Sequence, residues 1–252
     1  MKNNNPLFEY ILRIADNALI LGHRVSELCG HGPSLETDIG LTNIALDLVG
    51  HARTLLQYAA KVEGKGRSED DLAFLRDTRG FKNVLLVEQE NGNFADTVAR
   101  QFLFDTYNYY FFAALQESND ETLVAIAQKS LKEISYHYRY SAEWVIRLGD
   151  GTDVSHEKMQ AALDKIWTYS GELFEADAID EAMVEAGIGV DLARIKVLWQ
   201  ERVDQVLKEA TLTQPETRWM QKGGKQGKHS EKLGFLLAEM QWMQRAYPGL
   251  EW

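Results

Sequence analysis

The chain has 252 residues, 45% hydrophobic and 26% charged, a balance that excludes intrinsic disorder and allows one large domain or two small ones. Its net charge of −11, with no long basic run, weighs against nucleic acid and anionic membrane surfaces as partners. The single cysteine, Cys29, cannot close an intramolecular disulfide; with no signal-like start and no apolar run of membrane-spanning length, the expectation is a cytoplasmic protein.

Only four prolines occur, and alanine and leucine are abundant, which favours helices. The periodicity predicts a first helix over about Leu7–Leu28, stopped by Gly30 and Pro33. A second runs over about Ile39–Val62 and ends at Glu63-Gly64-Lys65-Gly66. A third covers about Phe94–Gln116 and a fourth about Glu121–Leu148, with Asn119 or Asp120 as cap and Gly149 and Gly151 as stops. Between the second and third, Arg67 to Asn93 holds two apolar runs, Leu72–Leu75 and Val84–Val87. That segment is too apolar for a free linker and is expected to pack along a bundle.

Beyond the fourth helix, Thr152 to Ser155 caps a helix to about Glu172, and shorter pieces follow through Gly187. Another helix is expected over about Leu192–Ala210, then a Gly- and Lys-rich loop from Thr211 to Ser230, then a last helix to about Tyr247. No alternating stretch argues for a sheet. The expectation is an all-α fold: a ferritin-like four-helix bundle with one long crossover, additional C-terminal helices, and a single domain over 1–252.

Two of these helices carry near-misses to a metal motif. A di-iron carboxylate bundle uses Glu-x-x-His on each of two helices and a Glu from each of the other two. Here Asp47 is followed by Gly50 and then His51, and Glu133 by Tyr136 and then His137. On a helical wheel Asp47, His51, Asp105, Glu133 and His137 all fall on or beside the apolar stripes. Buried acids need partners, and either metal or i, i+4 pairing of Asp47 with His51 and Glu133 with His137 would supply them. The first helix completes no ligand set, because its acids Glu9, Asp16 and Glu27 lie opposite the stripe Leu7, Ile11, Ile14, Ala18, Leu21 and Val25. The balance favours a metal-free bundle.

At these same residues the chain resembles a known family. The runs Asn43-Ile44-Ala45-Leu46-Asp47-Leu48-Val49-Gly50, Leu86-Val87-Glu88-Gln89-Glu90-Asn91-Gly92-Asn93-Phe94-Ala95-Asp96, Gly151-Thr152-Asp153-Val154-Ser155 and Leu237-Ala238-Glu239-Met240-Gln241 are similar to the C subunit of phenylacetyl-CoA epoxidase, the PaaC family. The similarity runs from about Glu9 to Trp252. It implies a ferritin-like component of a multicomponent monooxygenase that epoxidises the aromatic ring of phenylacetyl-CoA in phenylacetate breakdown. It further implies a non-catalytic structural role, without cofactor, in which the chain pairs with and supports the di-iron catalytic A subunit. A flavin and iron–sulfur reductase delivers electrons from NADPH, other epoxidase subunits are further partners, and homo-oligomers of the free chain are compatible with it. Asp47, Gly50, His51, Asp105, Glu133, Tyr136 and His137 are then vestigial metal-site positions. Tyr136 is expected to fill the space of the lost metals.

The residues themselves leave other readings open. One is a catalytic di-iron oxygenase with a shifted ligand set. Another is a ferritin-like storage protein, which the extra helices after Gly151 disfavour. The loop Lys222-Gly223-Gly224-Lys225-Gln226-Gly227-Lys228-His229 misses the phosphate-loop pattern, since its glycines are one residue too close and His229 replaces the hydroxyl. A flexible surface loop or partner contact is expected, with Lys222, Lys225 and Lys228 as candidates for a partner or for CoA phosphates. Tyr107, Tyr109, Tyr110, Phe111 and Phe112 are expected as packing, Cys29 as a packed thiol, and Trp242, Met243 and Trp252 as anchors for a partner or for the chain's own bundle.

Overall fold

The computed structural model describes residues 5–216 and 219–250. In chain order its α-helices are α1 (Pro6–Ser26), α2 (Leu35–Glu63), α3 (Glu69–Phe74), α4 (Phe94–Leu115), α5 (Glu121–Gly149), α6 (Asp153–Ile166), α7 (Ala178–Glu185), α8 (Leu192–Glu209) and α9 (Glu231–Ala246). Every regular element among the described residues is helical. The architecture is all-α and ferritin-like, with two long helical hairpins and additional helices after α5. No helix among these residues is long and apolar enough to cross a membrane. Trp252 lies outside the described residues.

Helix ends follow local chemistry. Asn5 accepts from the Leu7 amide at 3.0 Å, and Pro6, at the first helical position, has no amide to satisfy. Helix α2 begins at Leu35, four residues before the expected Ile39, because the Ser34 hydroxyl caps the Thr37 amide. Asp38 then accepts from the amides of Gly30 and Gly32, which fastens the preceding turn. Gly64, at φ +67°, ends α2 in the left-handed conformation that glycine adopts without strain. Asp120 is the cap of α5. Cys29 is exposed in the α1–α2 turn, not packed as expected.

Contacts divide the chain into two compact units, Met1–Gln89 with Lys222–Trp252, and Glu90–Gln221. In the first unit α1 is buried without a break from Phe8 to Gly22. Its apolar stripe packs on α2. The opposite face is covered by residues 76–88, which include the buried run Val84–Val87. Helix α9 closes this unit: Gln241 donates to the carbonyls of Ala73 and Arg76, and Arg24 of α1 donates to the carbonyl of Lys232.

In the second unit α4 and α5 form the long hairpin, and α6 and α8 lie against it. The Trp199 indole of α8 donates to the Leu103 carbonyl of α4 at 2.9 Å. Phe174 stands edge-on to both Tyr107 and Trp199, so the aromatic run of α4 is packing, as expected. Helix α6 stops at Ile166, earlier than the expected Glu172, where the chain tightens into 3-10 turns at Trp167–Tyr169 and Gly171–Phe174.

Candidate functional site

On α2, in the first unit, His51 is buried and Asp47 is half-buried. Both are engaged by neighbouring groups. Gly50, at the position where the metal motif needs a histidine, is exposed, and a Cβ added there would meet nothing within 4 Å.

The second unit brings Asp105 and His137 together across the α4–α5 hairpin. Both are buried, together with Ser141, Gln101 and Arg100. Burial pushes the Asp105 carboxyl up to about 6, against the opposing pull of His137, the Ser141 hydroxyl and Arg100. The Ser141 hydroxyl also bonds the His137 carbonyl at 3.0 Å, and Gln101 reaches Asp105 Oδ1 at 3.5 Å. The helical wheel placed Asp105 on the inner face correctly but gave it no partner. Glu133 is half-buried and engaged by neighbouring groups.

Tyr136 overturns an expectation. It is 39% exposed, and its ring packs beside Tyr140 on the outer side of α5, with ring centres 5.8 Å apart. It does not fill a core cavity. The reason is the helical period: His137 takes the inward direction, and its immediate neighbour points about 100° away.

Two of the acids assigned to the first helix, Asp16 and Glu9, are held by the crossover; Glu27, at the helix end, is exposed and pairs with Arg24 at 2.8 Å. Asp16, fully buried, pairs with the Arg76 guanidinium and accepts the Lys82 amide at 2.8 Å. Glu9 lies 3.6 Å from the Lys82 ammonium. Arg76 also lies over the Phe81 ring, 4.1 Å from its centre. Among the described residues, no group of three or more His, Cys, Asp or Glu is placed to hold a metal ion.

Sequence reasoning missed a densely bonded acid in the first unit. Glu88, closed to solvent, accepts from His229 Nδ1, from the amide and hydroxyl of Ser230 (each 2.8 Å), and from the Asn83 amide group at 3.0 Å. The second ring nitrogen of His229 faces the Phe81 carbonyl at 3.0 Å. Two acceptors on the two nitrogens make this histidine an imidazolium. Burial works to lower its pKa, but the bond and charge of Glu88, the Phe81 carbonyl and the charge of Asp16 outweigh it and raise the value. The only sequence signal was the failed phosphate loop, in which His229 read as a missing hydroxyl.

That loop is not a flexible surface segment. Gly223, Gly224 and Lys225 are buried, and a Cβ on Gly224 would stand 2.2 Å from the Asn83 carbonyl oxygen. Lys222 and Lys228 are exposed. On α9, Trp242 and Met243 are also exposed, so neither docks fully on its own unit.

The comparisons with known proteins agree on one family. The family model described as "Phenylacetic acid catabolic protein" matches residues 1–252. The chain is 51% identical over 248 residues to the C subunit of the 1,2-phenylacetyl-CoA epoxidase of Escherichia coli (strain K12), covering 98% of this chain and 100% of the relative. Near-complete coverage in both directions, on an all-helical fold with the expected long helices, places the chain in the phenylacetic acid catabolic protein family, among relatives of the epoxidase's C subunit.

Proposed function

We propose that this chain is a non-catalytic structural component of a multicomponent 1,2-phenylacetyl-CoA epoxidase in the cytoplasm. It carries no metal and pairs with the di-iron catalytic A subunit, while a flavin and iron–sulfur reductase supplies electrons. One observation carries the reading. Asp16 and Glu9 of α1 are held by Arg76 and Lys82, and the two motif positions that need histidine hold the exposed Gly50 and Tyr136. The donor set for di-iron is therefore incomplete on three of four helices. The similarity to the C subunit supports the assignment to the epoxidase. Lys222 and Lys228 are the exposed lysines of their loop and are the proposed contacts for a partner or for CoA phosphates.

Co-expression tests this. The chain is expected to co-purify with the sister protein that has two complete Glu-x-x-His motifs. Purified alone, with the reductase supplied, it is expected to convert no phenylacetyl-CoA and to contain no stoichiometric iron. Turnover by the chain alone, or about two irons per chain as in a complete site, would sink the proposal.

A further inference from the structure

Three oxidisable rings stand in series on the outer side of α5. Tyr136, Tyr140 and Trp144 are spaced four residues apart, so they share one face of the helix. The ring centres of Tyr136 and Tyr140 are 5.8 Å apart, and those of Tyr140 and Trp144 are 6.4 Å apart. Exposure grades along the row: Trp144 and Tyr140 are half-buried, and Tyr136 is exposed. Packing alone does not call for two phenols here, since phenylalanine offers the same ring without a hydroxyl to satisfy.

We propose that this row is a protective redox relay, which carries an oxidising equivalent from the Trp144 indole through Tyr140 to Tyr136, where a soluble thiol quenches it. Electrons cross such short gaps readily, because tunnelling falls off exponentially with distance. The Trp144 end is closed and biased. Phe94 stands edge-on to the indole at 5.0 Å, and a benzene ring is too hard to oxidise to carry the hole onward. The Arg147 guanidinium lies 5.5 Å from the indole centre and repels a positive charge on it. Its ion pair with Glu143, at 3.7 Å on the exposed surface, offsets this only in part. A tyrosyl radical escapes the repulsion, because it sheds the phenolic proton and is neutral. The hole therefore moves away from Trp144.

Electrons and protons balance at each step. A peroxyl radical takes one electron from Trp144 and one proton from water, and becomes a hydroperoxide. Tyr140 returns an electron to the indole cation and loses its phenolic proton to water. Tyr136 then reduces the Tyr140 radical, which recovers a proton from water as Tyr136 loses its own. A thiol gives Tyr136 a hydrogen atom, and two thiyl radicals pair as a disulfide. The chain ends unchanged. The use of the relay rests on the epoxidase reading above, since a partner that activates O2 is a source of radicals of this class. The relay itself is a property of the isolated chain.

Flash–quench photochemistry of the full chain tests it. In a Cys29→Ser background, Asp150→Cys carries a ruthenium polypyridyl complex, about 9 Å along the helix from Trp144 and about 21 Å from Tyr136. A flash in the presence of an irreversible electron acceptor leaves the complex as a one-electron oxidant. Transient absorption should show an indole radical replaced by a tyrosyl radical, which added glutathione removes. Tyr140→Phe should leave the indole signal standing and abolish the tyrosyl one. Tyr136→Phe should keep the tyrosyl radical on Tyr140 and slow its removal by glutathione. Tyr109→Phe, in the stacked pair with Tyr138, should change nothing. Circular dichroism checks that each variant is folded. An indole radical that persists in the intact row, or a tyrosyl yield indifferent to Tyr140→Phe, would overturn the proposal. In the co-expressed assembly supplied with glutathione, Tyr140→Phe should keep the initial rate and lose activity sooner; equal lifetimes would overturn the protective use. Failure to assemble with the sister protein would sink the epoxidase reading and leave the flash measurement to decide the relay.

Discussion

His229 bridges Glu88 and Phe81: one ring nitrogen donates to the Glu88 carboxylate over 2.8 Å, the other to the Phe81 carbonyl over 3.0 Å. The bridge ties the start of α9 to the crossover that sheathes α1. Because the folded state raises the pKa of His229 above its ordinary 6.5, the bridge contributes its full stability below that value. The contribution is lost as pH rises through the higher folded-state value. Urea denaturation at pH values on either side of neutrality should therefore show stability falling on the alkaline side. His229→Ala should cost about 3–5 kcal/mol at neutral pH, by leaving a buried carboxylate without its cation, and should remove that alkaline decline.

The pair of Asp16 and Arg76 is a second buried tie between α1 and the crossover. Arg76 also serves the carbonyls of Leu72 and Gly80, so the guanidinium stays buried if the acid is removed. Asp16→Ala should destabilise the chain by about 3–5 kcal/mol. A double mutant cycle with Arg76→Met should recover much of that loss, since the stranded charge goes with it. Equal losses in the single and double variants would contradict the pairing.

The Asp105 pKa is also raised on folding, but here the buried charge is a cost. Its carboxyl is neutral in both states below about 3.8, and above about 6 only the folded state bears the cost of a buried charge. Stability should thus fall as pH rises between these values. Asp105→Asn should flatten that dependence and raise stability at neutral pH by up to roughly 3 kcal/mol, the equivalent of the shift. Chemical denaturation of the two chains across the acid range gives the comparison directly.

Tyr136 and Gly224 separate exposed from packed positions. Tyr136→Ala removes a ring on the outer side of α5 and should cost less than about 1 kcal/mol. A side chain filling a core cavity would cost about 3–5 kcal/mol. Gly224→Ala, in contrast, sets a methyl group against the Asn83 carbonyl and should cost about 2 kcal/mol or more. Thermal melts of the two variants, ranked against each other, check both statements.

What the sequence made legible was whatever has a period or a cap. The four long helices, a cap at Asn119 or Asp120, a cap within Thr152 to Ser155 and the inward Asp105 follow from spacing; the structure selects Asp120 and Thr152. What stayed hidden depends on segments far apart in the chain. Asp16 could be placed only on the face opposite the apolar stripe, because nothing local reveals Arg76, sixty residues on. Glu88 and His229 are separated by 141 residues and share no motif. Tyr136 was misplaced for a different reason: a pattern of missing ligands was read as geometry, whereas the wheel already turned that ring away from the core.

The cover over α1 has a consequence for biosynthesis. Helix α1 leaves the ribosome ahead of every segment that covers it. Residues 90–221 form a unit of their own and are made in between, while Lys232 and the Glu88–His229 bridge close over α1 only when the final segment emerges. Until then the nascent chain shows an apolar helix with an open flank, the kind of surface that holding chaperones recognise. A stop codon anywhere before α9 would leave α1 in that state permanently. The damage from a C-terminal truncation would thus appear first at the N-terminus, as lost amide-exchange protection along Phe8 to Gly22.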